Sequence, residues 1–229
     1  MTWHRPILAL SVIISSALIA AGPARAQEVA CNGIFAVTGK PAYQGEASDR
    51  IGLCHLGYYT SFNPETKVPD WVQELVTTTH LEKNVKRKNN FRPDPGVLPV
   101  DLSPTLADYK GSGYDRGHQA PAGDMVWEKD AMSQSFYLSN MAPQVGRGFN
   151  RGVWRALETA VRGWVTETAP LIVITGPVYG HEQHTIGEGV VVPAQFYKVV
   201  YDAAGQRAIG FLLANKAADF NDYKNRIVA

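Results

Sequence analysis

Val153, Leu157, Ala160 and Trp164 follow one another at intervals of three and four, forming one apolar stripe at helical spacing over residues 152–164. The segments around it are of another kind. Residues 58–62, 71–76, 171–175, 195–201 and 208–213 read as strands. Asn63-Pro64-Glu65-Thr66 is a turn signal between the first two, and Gly205 supplies a turn before the last. Ser103-Pro104 suits a helix start, so a short helix is expected to run to Tyr109. A second is expected over 128–135, then a brief strand over 136–138. A one-faced helix must cover something, and here the available surface is a sheet. The pattern predicts the α+β class: a mixed, mostly antiparallel central sheet flanked by helices. No internal repeat or low-complexity linker interrupts it.

Three short segments carry the chemistry. Tyr114-Asp115-Arg116-Gly117-His118-Gln119-Ala120-Pro121 places a carboxylate, a guanidinium and an imidazole within four positions. Phosphodiester hydrolysis needs such groups. A neutral imidazole takes a proton from water. A guanidinium grips phosphate oxygens with two donors. Ser139-Asn140-Met141-Ala142-Pro143-Gln144 follows, and then Phe149-Asn150-Arg151-Gly152-Val153-Trp154-Arg155-Ala156-Leu157-Glu158.

The ordered series D-R-G-H-x-A-P, S-N-x-x-P-Q and F-N-x-G-x-W-x-x-L-E resembles the DNA/RNA non-specific endonucleases of the ββα-metal superfamily. Secreted bacterial nucleases and mitochondrial endonuclease G belong to that family. The resemblance runs from about Tyr58 to Asn221. It implies a ββα-metal catalytic unit on one face of the sheet. It also implies magnesium-dependent cleavage of DNA and RNA with little sequence preference, giving 5′-phosphate ends, with manganese as a substitute ion. Family members commonly continue past a segment like 221–229 with an acidic helix and a T-G-L stretch, which this sequence does not show.

By the same resemblance His118 is the general base, so activity is expected to rise as its imidazole deprotonates. Asn150 is the direct magnesium ligand, a hard neutral oxygen donor for an ion that keeps most of its waters; the competing reading is a helix cap. Glu158 matches the acidic partner of the metal. Eight helical residues span ~12 Å along the axis and ~80° around it, so Glu158 is expected to act through a metal-bound water. Arg116 and Arg87 are the candidates to hold phosphate, although the local spacing leaves Arg87 ambiguous with Lys88 and Arg92. Asn140 either positions His118 or the metal waters, or stabilises a turn. Asp115 is expected to be a structural hydrogen-bond acceptor.

The N-terminus reads as a signal peptide over 1–26. A basic start precedes an apolar run of fifteen residues, 7–21, and Ala24-Arg25-Ala26 forms a cleavage site. A secreted or periplasmic product is expected, without membrane contact after processing. Loss of Arg5 and Arg25, and of no acidic residue, takes the formal net charge from +1 to −1. Attraction to DNA and RNA must then be local. Lys83, Lys86, Arg87, Lys88 and Arg92 are one candidate patch, a solvated loop the alternative. Cys31 and Cys54 are the only cysteines and most simply form one disulfide. The expected organisation is a signal peptide (1–26), an N-terminal arm with the disulfide (27–57) and a nuclease domain (58–229). The alternative functions are a catalytically silent exported nucleic-acid-binding protein on the same scaffold and a phosphodiesterase for small substrates. Intact His118, Asn150 and Glu158 argue against the silent one. The sequence specifies neither an inhibitor protein nor a homodimer.

Overall fold

The computed structural model describes residues 31, 33–41, 49–167 and 169–228. The segment read as a signal peptide lies outside these residues. Six strands form an antiparallel sheet: β1 (Ile51–Cys54), β2 (Tyr58–Asn63), β3 (Val68–Val76), β6 (Leu171–Val178), β9 (Gln195–Asp202) and β10 (Arg207–Ala214), adjacent in that order. The α+β class read from the sequence is the class observed. Burial alternates strictly along β9, with Phe196, Lys198, Val200 and Asp202 turned inward, as a half-buried strand requires. The β9–β10 turn is closed by Asp202, which accepts from the Gly205 amide at 2.9 Å and from Arg207 Nε at 2.9 Å.

A second, two-stranded sheet pairs β4 (Tyr114–His118) with β5 (Met141–Val145). Two of the three sequence segments therefore lie side by side, His118 opposite Met141 and Asp115 opposite Gln144. Gly117 is required here, because a methyl group at that position would overlap the Gln144 side chain. The third segment forms the irregular turns of Gly146–Trp154 and then the helix Arg155–Trp164. That helix is α3, after α1 (Leu106–Tyr109) and α2 (Lys129–Gln134). Strands β7 (His184–Ile186) and β8 (Val190–Val192) form a small hairpin.

Met141 and Ala142 of β5 share one core with Val153, Leu157 and Val161, and with Val173, Phe196, Val200 and Phe211 of the large sheet. The β4–β5–α3 unit thus covers one sheet face. The opposite face meets the N-terminal segment, where Cys31 and Ile34 pack on Tyr59 and Trp71. The Cys31–Cys54 disulfide staples that segment to β1.

Several local expectations change. Regular helix begins at Arg155 rather than 152, because Gly152 has non-helical angles (φ −120°, ψ −114°). The buried stripe ends at Val161, and Trp164 is 41% exposed, stacked on Phe211. Helix α1 is capped by Thr105 and Asp108 rather than by Ser103. Residues 136–138 form no strand: Tyr137 makes a single bridge to Arg92, and Leu138–Asn140 coils. Within the segment read as an arm, β1 is already part of the sheet, and 33–35 are helical.

Candidate active site

One cleft of about 770 Å³ lies where β4, the Gly146–Trp154 turns and α3 meet. His118, Arg116, Arg87, Asn150 and Glu158 all line it. Of the proposed site residues only Asn140 lies beneath it, fully buried.

His118 ends β4 and is 9% exposed. Its ring meets Phe136 edge-on at 5.0 Å and lies 5.7 Å from Phe91. Its Nε2 is buried without a hydrogen-bond partner among the described residues. Burial, then the charges of Arg87 and Arg116, lowers its pKa to about 3. The imidazole is therefore already neutral at physiological pH, the state that a general base requires.

Asn140 secures the chain just past His118. Its Oδ1 accepts from the Ala120 amide, and its Nδ2 donates to the Ala120 and Ser135 carbonyls, each at 2.9 Å. Its backbone carbonyl accepts from the Gln119 amide. Asn140 thus ties the chain after His118 to the end of α2 through backbone groups and makes no side-chain hydrogen bond with His118. Ser139 beside it donates to Asp94, a buried carboxylate that also takes His55 Nε2 at 3.1 Å and the Gly96 amide at 2.9 Å. Burial raises the Asp94 pKa, but the bonds from His55 and Ser139 outweigh it and hold the carboxyl below its usual range.

The cationic lining is richer than the motifs indicated. Arg116 lies with its guanidinium carbon 4.3 Å from the Phe91 ring centre, and Arg87 lies 5.1 Å from that of Phe136. Arg162 reaches the cleft from α3, where Asp124 binds it at 2.6 Å. Arg151, Arg155 and Lys110 complete the set. Sequence reasoning missed these four. Arg162 had one signal, a position four residues after Glu158 on the same helix face. Among the five cations of 83–92, Arg92 turns inward to the Ser133 carbonyl at 2.9 Å and over Tyr137. Of the candidates Arg87, Lys88 and Arg92, only Arg87 lines the cleft.

Asn150 is placed by its neighbours in sequence. Phe149 and Trp154 stack at 5.5 Å, and both rings lie on Phe196 of β9 at 5.6 and 5.7 Å. These aromatic anchors hold the turn between them. The Asn150 Nδ2 donates to Asp115 Oδ2 at 2.8 Å. Asp115 also binds Arg151 Nε at 3.0 Å. With its nitrogen so committed, the amide has its oxygen left for a hard cation. Glu158 is partly exposed on the cleft wall. Desolvation, offset by Lys198 and Arg162, pushes its pKa up to about 7. Beneath it, burial raises the pKa of Glu74 and Asp124 and lowers that of Lys198. Among the described residues no group of three or more His, Cys, Asp or Glu could enclose a metal. An amide oxygen and a carboxylate that line the same cleft fit a hard divalent cation that keeps most of its waters.

A model of the DNA/RNA non-specific endonuclease family matches residues 36–228. Nuclease C1 of Cunninghamella echinulata var. echinulata is 42% identical over 178 residues, 71% of this chain and 70% of that protein. The mitochondrial nuclease of Saccharomyces cerevisiae is 38% identical over 62% of this chain and 48% of its own length. A solved structure described as "Crystal structure of the EndoG/EndoGI complex: Mechanism of EndoG inhibition" superposes with a TM-score of 0.74. Its sequence identity is 32%, over 87% of this chain and 85% of that one. The names correct one expectation. Relatives from Saccharomyces cerevisiae, Schizosaccharomyces pombe, Caenorhabditis elegans and Homo sapiens are called mitochondrial, which points away from the secreted or periplasmic location read from the N-terminus.

Proposed function

We propose, from the premise that this chain belongs to the DNA/RNA non-specific endonuclease family, that it hydrolyses phosphodiester bonds in both DNA and RNA with His118 as general base. The observation that carries the reading is the convergence of His118, Arg116, Arg87, Asn150 and Glu158 on one cleft.

The neutral imidazole takes a proton from a water as the water oxygen attacks phosphorus. The bond to the 3′-oxygen then breaks; that oxygen takes a proton from solvent water and the His118 imidazolium returns its proton to solvent, leaving a 5′-phosphate and a 3′-hydroxyl. Arg116, Arg87 and Arg162 bind the non-bridging oxygens and stabilise the charge that builds on them. Their own positions are fixed by Phe91, Phe136 and Asp124, so little reorganisation is needed as that charge develops. Asn150 would hold magnesium through its amide oxygen, and Glu158 would hold a water of that ion. When bound, the cation supplies Lewis-acid stabilisation of the phosphate and the departing oxygen. Metal dependence is typical of the family; magnesium in particular, with manganese as substitute, is part of this proposal.

The cations lining the cleft address phosphate rather than base edges or the 2′-hydroxyl, where sequence and sugar identity reside. Double-stranded DNA, single-stranded DNA and RNA are therefore all substrates, and salt slows cleavage of each. Initial rates on length-matched substrates, with magnesium and with a chelator, test this. Rates within about two orders of magnitude of one another, abolished by chelation, are expected on contacts confined to phosphate. Binding without cleavage would leave only the non-catalytic alternative, and strict restriction to one sugar would require a reader of the 2′-hydroxyl.

A further inference from the structure

We infer that Phe91 and Phe136 are positioning residues, whose ring contacts hold the side chains of His118, Arg87 and Arg116 in one arrangement, with Arg87 Nε also donating to Asn89 Oδ1 at 2.9 Å. The inference rests on the reading of this cleft as a nuclease site.

A general-base histidine is commonly oriented by a carboxylate on its second nitrogen. Among the described residues, His55 is the one histidine with a carboxylate in ion-pair reach, and His118 has none. Rings surround it instead. His118, Phe91 and Phe136 form a closed triangle with centre-to-centre distances of 5.0, 5.7 and 4.9 Å. The Phe136 contacts are edge-to-face, at 88° to His118 and 86° to Phe91, the geometry that the quadrupoles of aromatic rings favour. Each phenyl ring then carries one arginine on a face: Arg116 on Phe91 and Arg87 on Phe136. Rings attract cations in this way, and more strongly once water is removed.

The triangle is itself rigidly backed. Phe136 is fully buried, and it packs with Ala122 and Met132, with Val85, Phe91 and Val126 alongside. These are all apolar side chains, so none of them competes with the rings for the guanidinium groups. Two rings thus fix three functional groups, a base and two phosphate-binding cations, relative to one another. Arg87 lies 31 positions from His118 in sequence, yet one ring, Phe136, touches both.

The test is a set of double-mutant cycles on the full chain. Phe91→Leu and Phe136→Leu keep an apolar side chain and remove the ring face. Each is expected to lower kcat by on the order of 10- to 100-fold, as displaced catalytic groups do, with the greater part of the loss in kcat rather than KM. Phe91→Tyr keeps the ring and should retain most of the rate. In the matched pairs, Arg116→Ala with Phe91→Leu and Arg87→Ala with Phe136→Leu, the second change should cost at least about threefold less than in wild type. The crossed pairs should couple less. The same cycles read in unfolding free energy report the ring–guanidinium contacts without any turnover. Should Phe136→Leu fail to fold, partly buried Phe91 carries the test. Additive matched pairs in both readouts, or a Phe91→Tyr variant as impaired as Phe91→Leu, would overturn the inference. Cleavage by wild type with additive cycles would leave the nuclease reading intact. Absence of cleavage would remove that reading, and the unfolding cycles would still decide whether the contacts exist.

Discussion

Acidification should destabilise this fold through His118 in a way that can be isolated. Burial first, and then the charges of Arg87 and Arg116, lowers the imidazole pKa from 6.5 to about 3. A group whose folded pKa lies below its unfolded value stays neutral in the native state while the unfolded chain takes up a proton. Stability from this source is thus complete above pH 6.5 and falls as the pH drops toward 3. With those two values, the change from pH 7 to pH 5 removes about 2 kcal/mol. The figure is nearly the same for any folded value below about 4, because at pH 5 the native imidazole is then still almost wholly unprotonated. Replacing His118 with Gln abolishes the titration and leaves all other groups in place. Urea unfolding of wild type and His118→Gln, at pH 7 and pH 5 in the absence of metal, supplies the comparison. Wild type should lose about 2 kcal/mol more than the variant over that interval. Parallel losses, differing by less than ~0.5 kcal/mol, would show that His118 is solvated and titrates normally.

Three further outcomes are expected. Asp115→Ala frees the Asn150 amide, so manganese affinity, measured by paramagnetic resonance or calorimetry, should fall by about 10- to 100-fold; unchanged affinity would separate Asp115 from the metal residue. Asn140→Ala strips buried backbone groups of Ala120 and Ser135 of their partners and should destabilise the protein by about 1–3 kcal/mol; loss of activity with an unchanged melting temperature would instead place Asn140 in the chemistry itself. Native protein should show no free thiol, and reduction of Cys31–Cys54, which closes a 23-residue separation, should cost about 3 kcal/mol; two titratable thiols in folded protein would refute the bridge.

The longer elements were legible in the sequence: β2, β3, β6, β9 and β10 are runs rich in β-branched and aromatic residues, and the body of α3 has a periodic apolar face. The strands that carry the site were not. Tyr114-Asp115-Arg116-Gly117-His118 has the composition of a loop and becomes β4 only because β5 pairs with it and Gly117 admits the Gln144 side chain. Strand β5 contains Pro143, which ordinarily argues against a strand. Functional segments depart from local propensity in this way. The motif residues His118, Arg116, Asn150 and Glu158 were legible through the family resemblance. Arg162 was not, since an arginine on an amphipathic helix looks like any solvated cation until Asp124, 38 positions away, is seen to bind it. Nor could the sequence supply the lowered pKa of His118, which depends on rings and charges contributed by 87–91, 116 and 136.

The most direct measurement is single-turnover cleavage of a labelled duplex by wild type and His118→Ala, in magnesium near pH 7, with duplex affinity determined on the same preparations. The expected result is a rate at least ~100-fold lower in the variant, the usual scale for loss of a positioned general base, with affinity essentially unchanged because the phosphate contacts lie on the arginines. Cleavage by His118→Ala at close to the wild-type rate would contradict the assignment of His118 as the base.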